Sequence, residues 1–376
     1  MRIGLITLHC ALNYGAVLQA VALYETLESQ NKDTELINFR QPHICSIVDH
    51  TRKNELKNFK NLLRYIVKGK MIYEKKRNFD LFLSNHISVL TEEFNSRNEL
   101  INFCNTHVYD LLVCGSDQIW NPYITHFESA FFLKFADRHT RKISYAASIG
   151  QDNIQGDGIN FIAENIDEMD AISVREESAV NILNRAGVKK PVSVNLDPVF
   201  FLDAKEWEKK QIPVKLSMDL KRYILVYRLT DNPLMDKVLN ELTEKTGLPC
   251  IAITERLGKV PYIKKKFASV GPGEFLYLMN NAEYVVTDSF HGISFSLLFK
   301  KRLIAISNLA RNTRLVNILS KTEMSECLVN QEKTEHFIPD IDYEEKYKHC
   351  MEIIEEERAK NLNFLKTQIG EVKNAK

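Results

Sequence analysis

Short apolar runs alternate with longer amphipathic stretches over most of this chain, and that alternation confines it to α/β architectures built from βα units on parallel sheets. The spacing predicts strands over residues 3–7, 35–39, 109–113, 143–147 and 171–174, with helices over 15–29, 160–168 and 176–186. A polar, lysine-rich stretch, residues 203–215, interrupts the pattern. It then resumes, with strands over 223–227, 250–254, 284–287 and 302–307 and helices over 234–246, 273–281, 293–300 and 313–320.

At 376 residues the chain exceeds the size at which one core usually stops growing, so the interruption reads as a domain boundary. The expected organisation is a Rossmann-like domain over 1–203 with a basic helical insertion at about 50–80, a second over 216–330, and a closing helix over 340–372. Two such domains facing a cleft make the usual place for a small-molecule site.

Apolar content of 44%, charged content of 26% and a net charge of +1 describe an ordinary globular protein with no overall electrostatic reason to bind nucleic acid. Cys10, Cys45, Cys104, Cys114, Cys250, Cys327 and Cys350 are scattered without C-x-x-C pairs. They read as reduced thiols, and neither a disulfide framework nor a metal site is expected. The amino terminus lacks a signal-peptide pattern and no run approaches the roughly 20 apolar residues of a membrane span, so a cytoplasmic location is expected.

One segment departs from the neutral average. Between Arg52 and Arg77 ten lysines and arginines face two glutamates, while Leu56, Phe59, Leu63 and Ile66 recur at helical spacing. Such a basic amphipathic helix suits the anionic inner face of a membrane, or packs its apolar face on its own protein.

Thr287-Asp288-Ser289-Phe290-His291-Gly292 carries the most chemistry, because it joins a predicted strand to a predicted helix. A helix following a parallel strand points unpaired N–H groups and the positive end of its dipole at the sheet's carboxyl edge, which favours an anion. His291 adds a proton donor or acceptor there. The same residues also serve as a capped turn, with Asp288 or Ser289 as cap.

In the first half, Asn13-Tyr14-Gly15-Ala16-Val17-Leu18-Gln19 opens the first helix with a single glycine and fails as a dinucleotide fingerprint. Gly115-Ser116-Asp117-Gln118-Ile119-Trp120-Asn121-Pro122 joins a glycine turn and polar side chains to an indole. This combination suits a sugar ring, or a turn with Trp120 in the core.

Taken in order, these motifs together with Ser144-Tyr145-Ala146-Ala147-Ser148, Ser173-Val174-Arg175-Glu176-Glu177-Ser178 and Asp197-Pro198-Val199-Phe200 resemble the polysaccharide pyruvyltransferase family. The resemblance runs from the first strand to about Ser320. It implies two Rossmann-like domains in a glycosyltransferase-B-like arrangement, and transfer of pyruvate from phosphoenolpyruvate to two hydroxyls of a sugar as a cyclic ketal. No cofactor or metal is implied beyond phosphoenolpyruvate as co-substrate, and the acceptor sugar is free or lipid-linked.

On that resemblance His291 is the general acid and Asp288 its orienting partner. Arg228, Ser289, Arg175 and Arg314 are expected around the donor, and Asn13, Gly15, Gln19, Ser116, Asp117, Gln118, Trp120 and Asn121 around the acceptor. Several family members carry arginine and leucine directly before the histidine. Ser289 and Phe290 stand there in this chain, which leaves one anion contact to another group. A nucleotide-sugar glycosyltransferase, or an inactive sugar-binding relative, would share the same two-domain plan.

Overall fold

The computed structural model describes residues 1–46, 59–255, 262–307, 312–330, 332 and 335–374. It divides into two compact units. Unit 1 comprises Met1–His50, Leu83–Phe201 and Glu356–Lys376, and unit 2 comprises Thr51–Phe82 and Leu202–Glu355. The change of unit at Phe201/Leu202 falls beside the polar stretch that interrupts the βα pattern.

Unit 1 is built on β1 (Ile3–Ile6), β2 (Thr34–Phe39), β3 (Leu90–Phe94), β4 (Leu111–Cys114) and β5 (Arg141–Ser144), in the order β3-β2-β1-β4-β5. Its pairings are parallel throughout. β6 (Ile172–Val174) and β7 (Val192–Val194) form a small parallel sheet beside it, linked through bridges at Ile143–Ala171 and Ala147–Val174. Every residue of β1 and β4 is buried, as expected of strands with both faces covered. The helix Tyr14–Gln30 begins where Asn13 Oδ1 accepts from Ala16 N at 3.3 Å, and its buried residues lie around the whole helix.

Unit 2 carries β8 (Ile224–Tyr227), β9 (Cys250–Ile253), β10 (Ile263–Phe267), β11 (Tyr284–Thr287), β12 (Arg302–Ile306) and β13 (Leu328–Val329). They pair in parallel in the order β10-β9-β8-β11-β12-β13. Numbered within the unit this order is 3-2-1-4-5-6, the Rossmann arrangement. Strand order reverses between β1 and β4 in unit 1 and between β8 and β11 in unit 2. In open α/β sheets ligands bind just beyond the carboxyl ends of the strands at such reversals.

The helix Phe59–His86 was expected as an insertion of the first domain, but its described portion up to Phe82 groups with unit 2. Met71, Phe79 and Phe82 are buried, Lys75 Nζ donates to Glu255 Oε1 at 2.7 Å, and Asn78 Nδ2 donates to Ser269 O at 2.8 Å. Residues 52–58 of the basic segment, Lys57 among them, lie outside the described residues, as do the side chains of 59–67. Among the described residues no helix is long and apolar enough to cross a membrane.

The closing helix, Tyr343–Asn374, belongs to unit 2 as far as Glu355 and to unit 1 from Glu356. In unit 2 Tyr347 Oη reaches Lys301 O at 2.6 Å. In unit 1 the buried Asn361 accepts at Oδ1 from Leu196 N at 2.6 Å and from Tyr145 Oη at 3.2 Å. Replacing Asn361 by Ala leaves a buried N–H without its acceptor, so Asn361→Ala is expected to lower stability by about 1–3 kcal/mol. A denaturant midpoint equal to that of the native chain would show that Asn361 docks nothing.

Candidate active site

The turn at residues 287–292 lies where unit 2's strand order reverses, and the side chains of Thr287, Asp288 and Ser289 are each held by local hydrogen bonds. Thr287 Oγ1 donates to Tyr227 O at 2.7 Å, which pins the end of β11 to the end of β8, and it accepts from Ser289 N at 3.0 Å. Ser289 caps the helix Phe290–Leu298, its hydroxyl accepting from Gly292 N at 3.3 Å. A Cβ at Gly292 would stand 2.3 Å from Thr287 Oγ1, so glycine is what lets this helix start against β11. His291 sits in the first turn with only 6% of its surface exposed, set edge-on to the Phe290 ring at 5.2 Å. Imidazole and helix N-terminus therefore share one place, as the sequence motif implied.

Asp288, expected to orient His291 or cap the helix, is occupied elsewhere. Its Oδ1 accepts from Leu229 N at 2.7 Å, and its Oδ2 from Thr230 N at 3.0 Å and Thr230 Oγ1 at 2.5 Å. The carboxylate thus spans the strand reversal and shapes the loop that follows β8.

Arg228, expected as the donor's anion fork, is committed to that same loop. Its Nε donates to Thr230 O at 2.8 Å, Nη1 to Asp236 Oδ1 at 2.8 Å and Nη2 to Asn232 O at 3.1 Å. Asn232 caps the helix Pro233–Thr246 and reaches Ser307 O, at the end of β12, at 2.8 Å. Thr230, Asn232 and Asp236 lie outside the motifs singled out in the sequence. Their signal was an Asn-Pro helix start with an acid in its first turn, adjoining an arginine. Arg314 is half-buried in the helix Asn312–Lys321, which follows β12, the strand next to β11.

In unit 1 the residues expected around the acceptor separate into two groups. Asn13 is exposed and Gln118 half-buried, both beyond the carboxyl edge of the sheet. Of the others, Gln19, Ser116 and Asn121 bond to backbone groups, and Asp117 lies 3.7 Å from the Arg175 guanidinium. Gln19, fully buried, donates to Thr7 Oγ1 at 2.9 Å and accepts from Ser116 N at 3.0 Å, bridging the strand reversal between β1 and β4. Gly15 lies buried in the first helix, and Asn121 caps the short helix Pro122–Thr125. Ser116 Oγ lies 2.9 Å from Ala146 O and 3.2 Å from Asp197 Oδ2.

Trp120 requires a correction. Its indole is fully buried, donates from Nε1 to Phe131 O at 3.1 Å and stacks on Phe132 at 5.2 Å, so it is core and offers no face to a sugar. Its neighbouring amides suggested a binding platform, but the segment after it folds back over the ring.

Arg175, also expected near the donor, sits instead at the centre of a buried charge cluster in unit 1. Its guanidinium bonds Asp197 at 2.5 Å and lies 3.7 Å from both Asp117 and Glu176, with 2% of the side chain exposed. Those carboxylates hold its pKa above the ordinary arginine value against the opposing effect of burial. Glu176 in turn accepts from Ser148 Oγ, Ile149 N and Gly150 N at 2.8–2.9 Å. Among the described residues no group of three or more His, Cys, Asp or Glu is placed to hold a metal ion.

The same fold occurs in several solved structures. Anabaena HepE, solved in complex with UDP and glucose, is 10% identical, matches over 100% of both chains and has a TM-score of 0.53. The UDP-GlcNAc 2-epimerase of Neisseria meningitidis, bound to UDP-GlcNAc, is 11% identical with 100% coverage of both chains and a TM-score of 0.53. S. aureus MnaA, solved with UDP, is 12% identical, covers 93% of this chain and 91% of its own, and has a TM-score of 0.51. At such identities the likeness is one of fold, the glycosyltransferase-B-like class of two Rossmann-like domains that the sequence implied. No curated protein matches the chain significantly. The polysaccharide pyruvyl transferase model matches residues 13–309, and the chain belongs to that family of transferases.

The close approach of helix and strand at the turn can be tested directly. Thr287 Oγ1 is held by Tyr227 O and cannot yield to a methyl group, so Gly292→Ala is expected to cost about 1–3 kcal/mol. An unaltered melting midpoint would mean that the helix start accommodates a side chain.

Proposed function

We propose that this chain transfers the pyruvyl group of phosphoenolpyruvate to two hydroxyls of one sugar, in a polysaccharide or its lipid-linked precursor, forming a cyclic ketal. Family membership supports the reaction class. The observation that carries the residue assignment is the placement of His291 in the first turn of a capped helix at unit 2's strand reversal.

In this reading the donor's phosphate and carboxylate take up the helix N-terminus, where backbone N–H groups and the dipole favour negative charge. His291 delivers a proton to C3 of the enolpyruvyl group, and C2 becomes an oxocarbenium centre. One sugar hydroxyl attacks C2 and returns its proton to the His291 imidazole. Phosphate then leaves, keeping the bridging oxygen and the C2–O electron pair, and the second hydroxyl attacks C2 to close the ketal, its proton passing to the departing phosphate. Ser289 holds the helix start that receives the anion. Arg228 acts as a positioning residue, since all its guanidinium nitrogens are engaged within the 228–236 loop. The anion fork falls to Arg314, on the helix that follows the neighbouring strand. Asn13 and Gln118 are the acceptor contacts we assign in unit 1.

A nucleotide-sugar transferase of the same fold would take a different donor. Thermal-shift titration separates the two, because only a true donor stabilises the fold by mass action. Stabilisation by UDP-sugars without any by phosphoenolpyruvate would overturn the assignment.

The variants divide the roles. His291→Gln is expected to lower kcat for ketal formation by about 10² to 10⁴-fold with an unchanged circular dichroism spectrum. Turnover near that of the native chain would remove His291 from the proton transfer. Arg314→Ala is expected to raise the KM for phosphoenolpyruvate while sparing the melting temperature. Arg228→Ala is expected to lower the melting temperature, and the reverse pattern would exchange the two assignments.

A further inference from the structure

The cysteines contain a juxtaposition that their sequence spacing does not show. Cys10 lies in the loop joining β1 to the first helix, and Cys45 lies in the short helix Pro42–Ser46 that follows β2. β1 and β2 are parallel neighbours, so both segments leave the same carboxyl edge of the unit 1 sheet. There the two sulfurs stand 2.9 Å apart, both residues half-buried. A disulfide requires about 2.05 Å between sulfurs, so bonding them needs an approach of less than about 1 Å.

The remaining cysteines are set apart by environment. Cys114, Cys250, Cys327 and Cys350 are buried. Burial pushes Cys104 up to about 11 and Cys250, Cys327 and Cys350 up to about 12. The hydrogen bond with Cys45, followed by burial, also raises the Cys10 thiol.

We propose that Cys10 and Cys45 form a redox-active thiol pair, closed to an intramolecular disulfide by small-molecule disulfides such as oxidised glutathione. Cys45 Sγ attacks one sulfur of the oxidant and releases one glutathione thiol. Cys10 Sγ then attacks Cys45 Sγ and releases the second. Two cysteine thiols are oxidised and one glutathione disulfide is reduced to two thiols. The closed form ties the loop that leads to Asn13, the cap of the first helix, to the segment after β2.

The test uses the full chain and needs no activity measurement, so its result is independent of the donor and acceptor assignments. The native protein is incubated with oxidised glutathione, then unfolded in denaturant so that its remaining thiols are alkylated without reduction, and its peptides are mapped by mass. The expected product is two hydrogens lighter than the reduced chain and carries a Cys10–Cys45 cross-link. Five of the seven cysteines are alkylated, and dithiothreitol reverses the change. Cys45→Ser is expected to give no internal cross-link, with its fold checked by circular dichroism. Seven alkylated cysteines, a persistent glutathione adduct on Cys10 or Cys45, or a cross-link between other cysteines would each overturn the proposal.

Discussion

The carboxylate of Asp288 holds the carboxyl edge of unit 2's sheet together at its strand reversal. Three donors from the loop after β8 converge on its two oxygens, from Leu229 N, Thr230 N and Thr230 Oγ1. Charge-assisted bonds of this kind are about twice as strong as neutral ones, and here they join the two strands between which the chain order reverses. The remaining geometry follows from that joint. With the loop held, Arg228 can bind Thr230 and Asn232 carbonyls and the Asp236 carboxylate, which orients the helix Pro233–Thr246. With β11 fixed against β8, Ser289 and Gly292 start the next helix with His291 in its first turn.

Unit 1 meets the same geometric problem with different chemistry. At its strand reversal the bridging group is a neutral amide, Gln19, shared between Thr7 and Ser116. The charge lies further along, where Arg175 is enclosed by Asp197, Asp117 and Glu176. Losing one partner of a buried pair typically costs about 3–5 kcal/mol, because the other charge is left in a poorly solvating interior. Asp197 also accepts from Val199 N, at the head of the turn Pro198–Phe201, which packs against the first helix. The cluster therefore ties four segments of the first half into one edge. Motifs that look separate in the sequence are in fact neighbours in this network.

The difference between the two edges bears on function. In unit 2 the polar groups surround a helix start and a buried imidazole, whereas in unit 1 most of the motif side chains are engaged by one another. Gln19, Ser116, Asn121 and Trp120 hold backbone in place, and Asn13 and Gln118 remain at the margin. A recurrent motif can thus record the construction of a sheet edge as readily as contact with a substrate.

Much of the fold was legible in the sequence, because parallel strands covered on both faces must be continuous apolar runs and helices must carry an apolar stripe. β1, β2, β8, β11 and β12 and the placement of His291 at a strand-to-helix junction all follow from that rule. The edge strands did not. β10 reads Ile-Lys-Lys-Lys-Phe and β3 reads Leu-Thr-Glu-Glu-Phe, since an edge strand faces solvent and needs neither an apolar run nor alternation. Tertiary structure alone decided which polar residues point at one another. The bond of Arg175 to Asp197, the hold of Asp288 on the 229–230 loop and the contact of Cys10 with Cys45 join residues 22 to 59 positions apart. Periodicity fixes the face on which a side chain lies, but the partner it meets is set by the order in which the strands assemble.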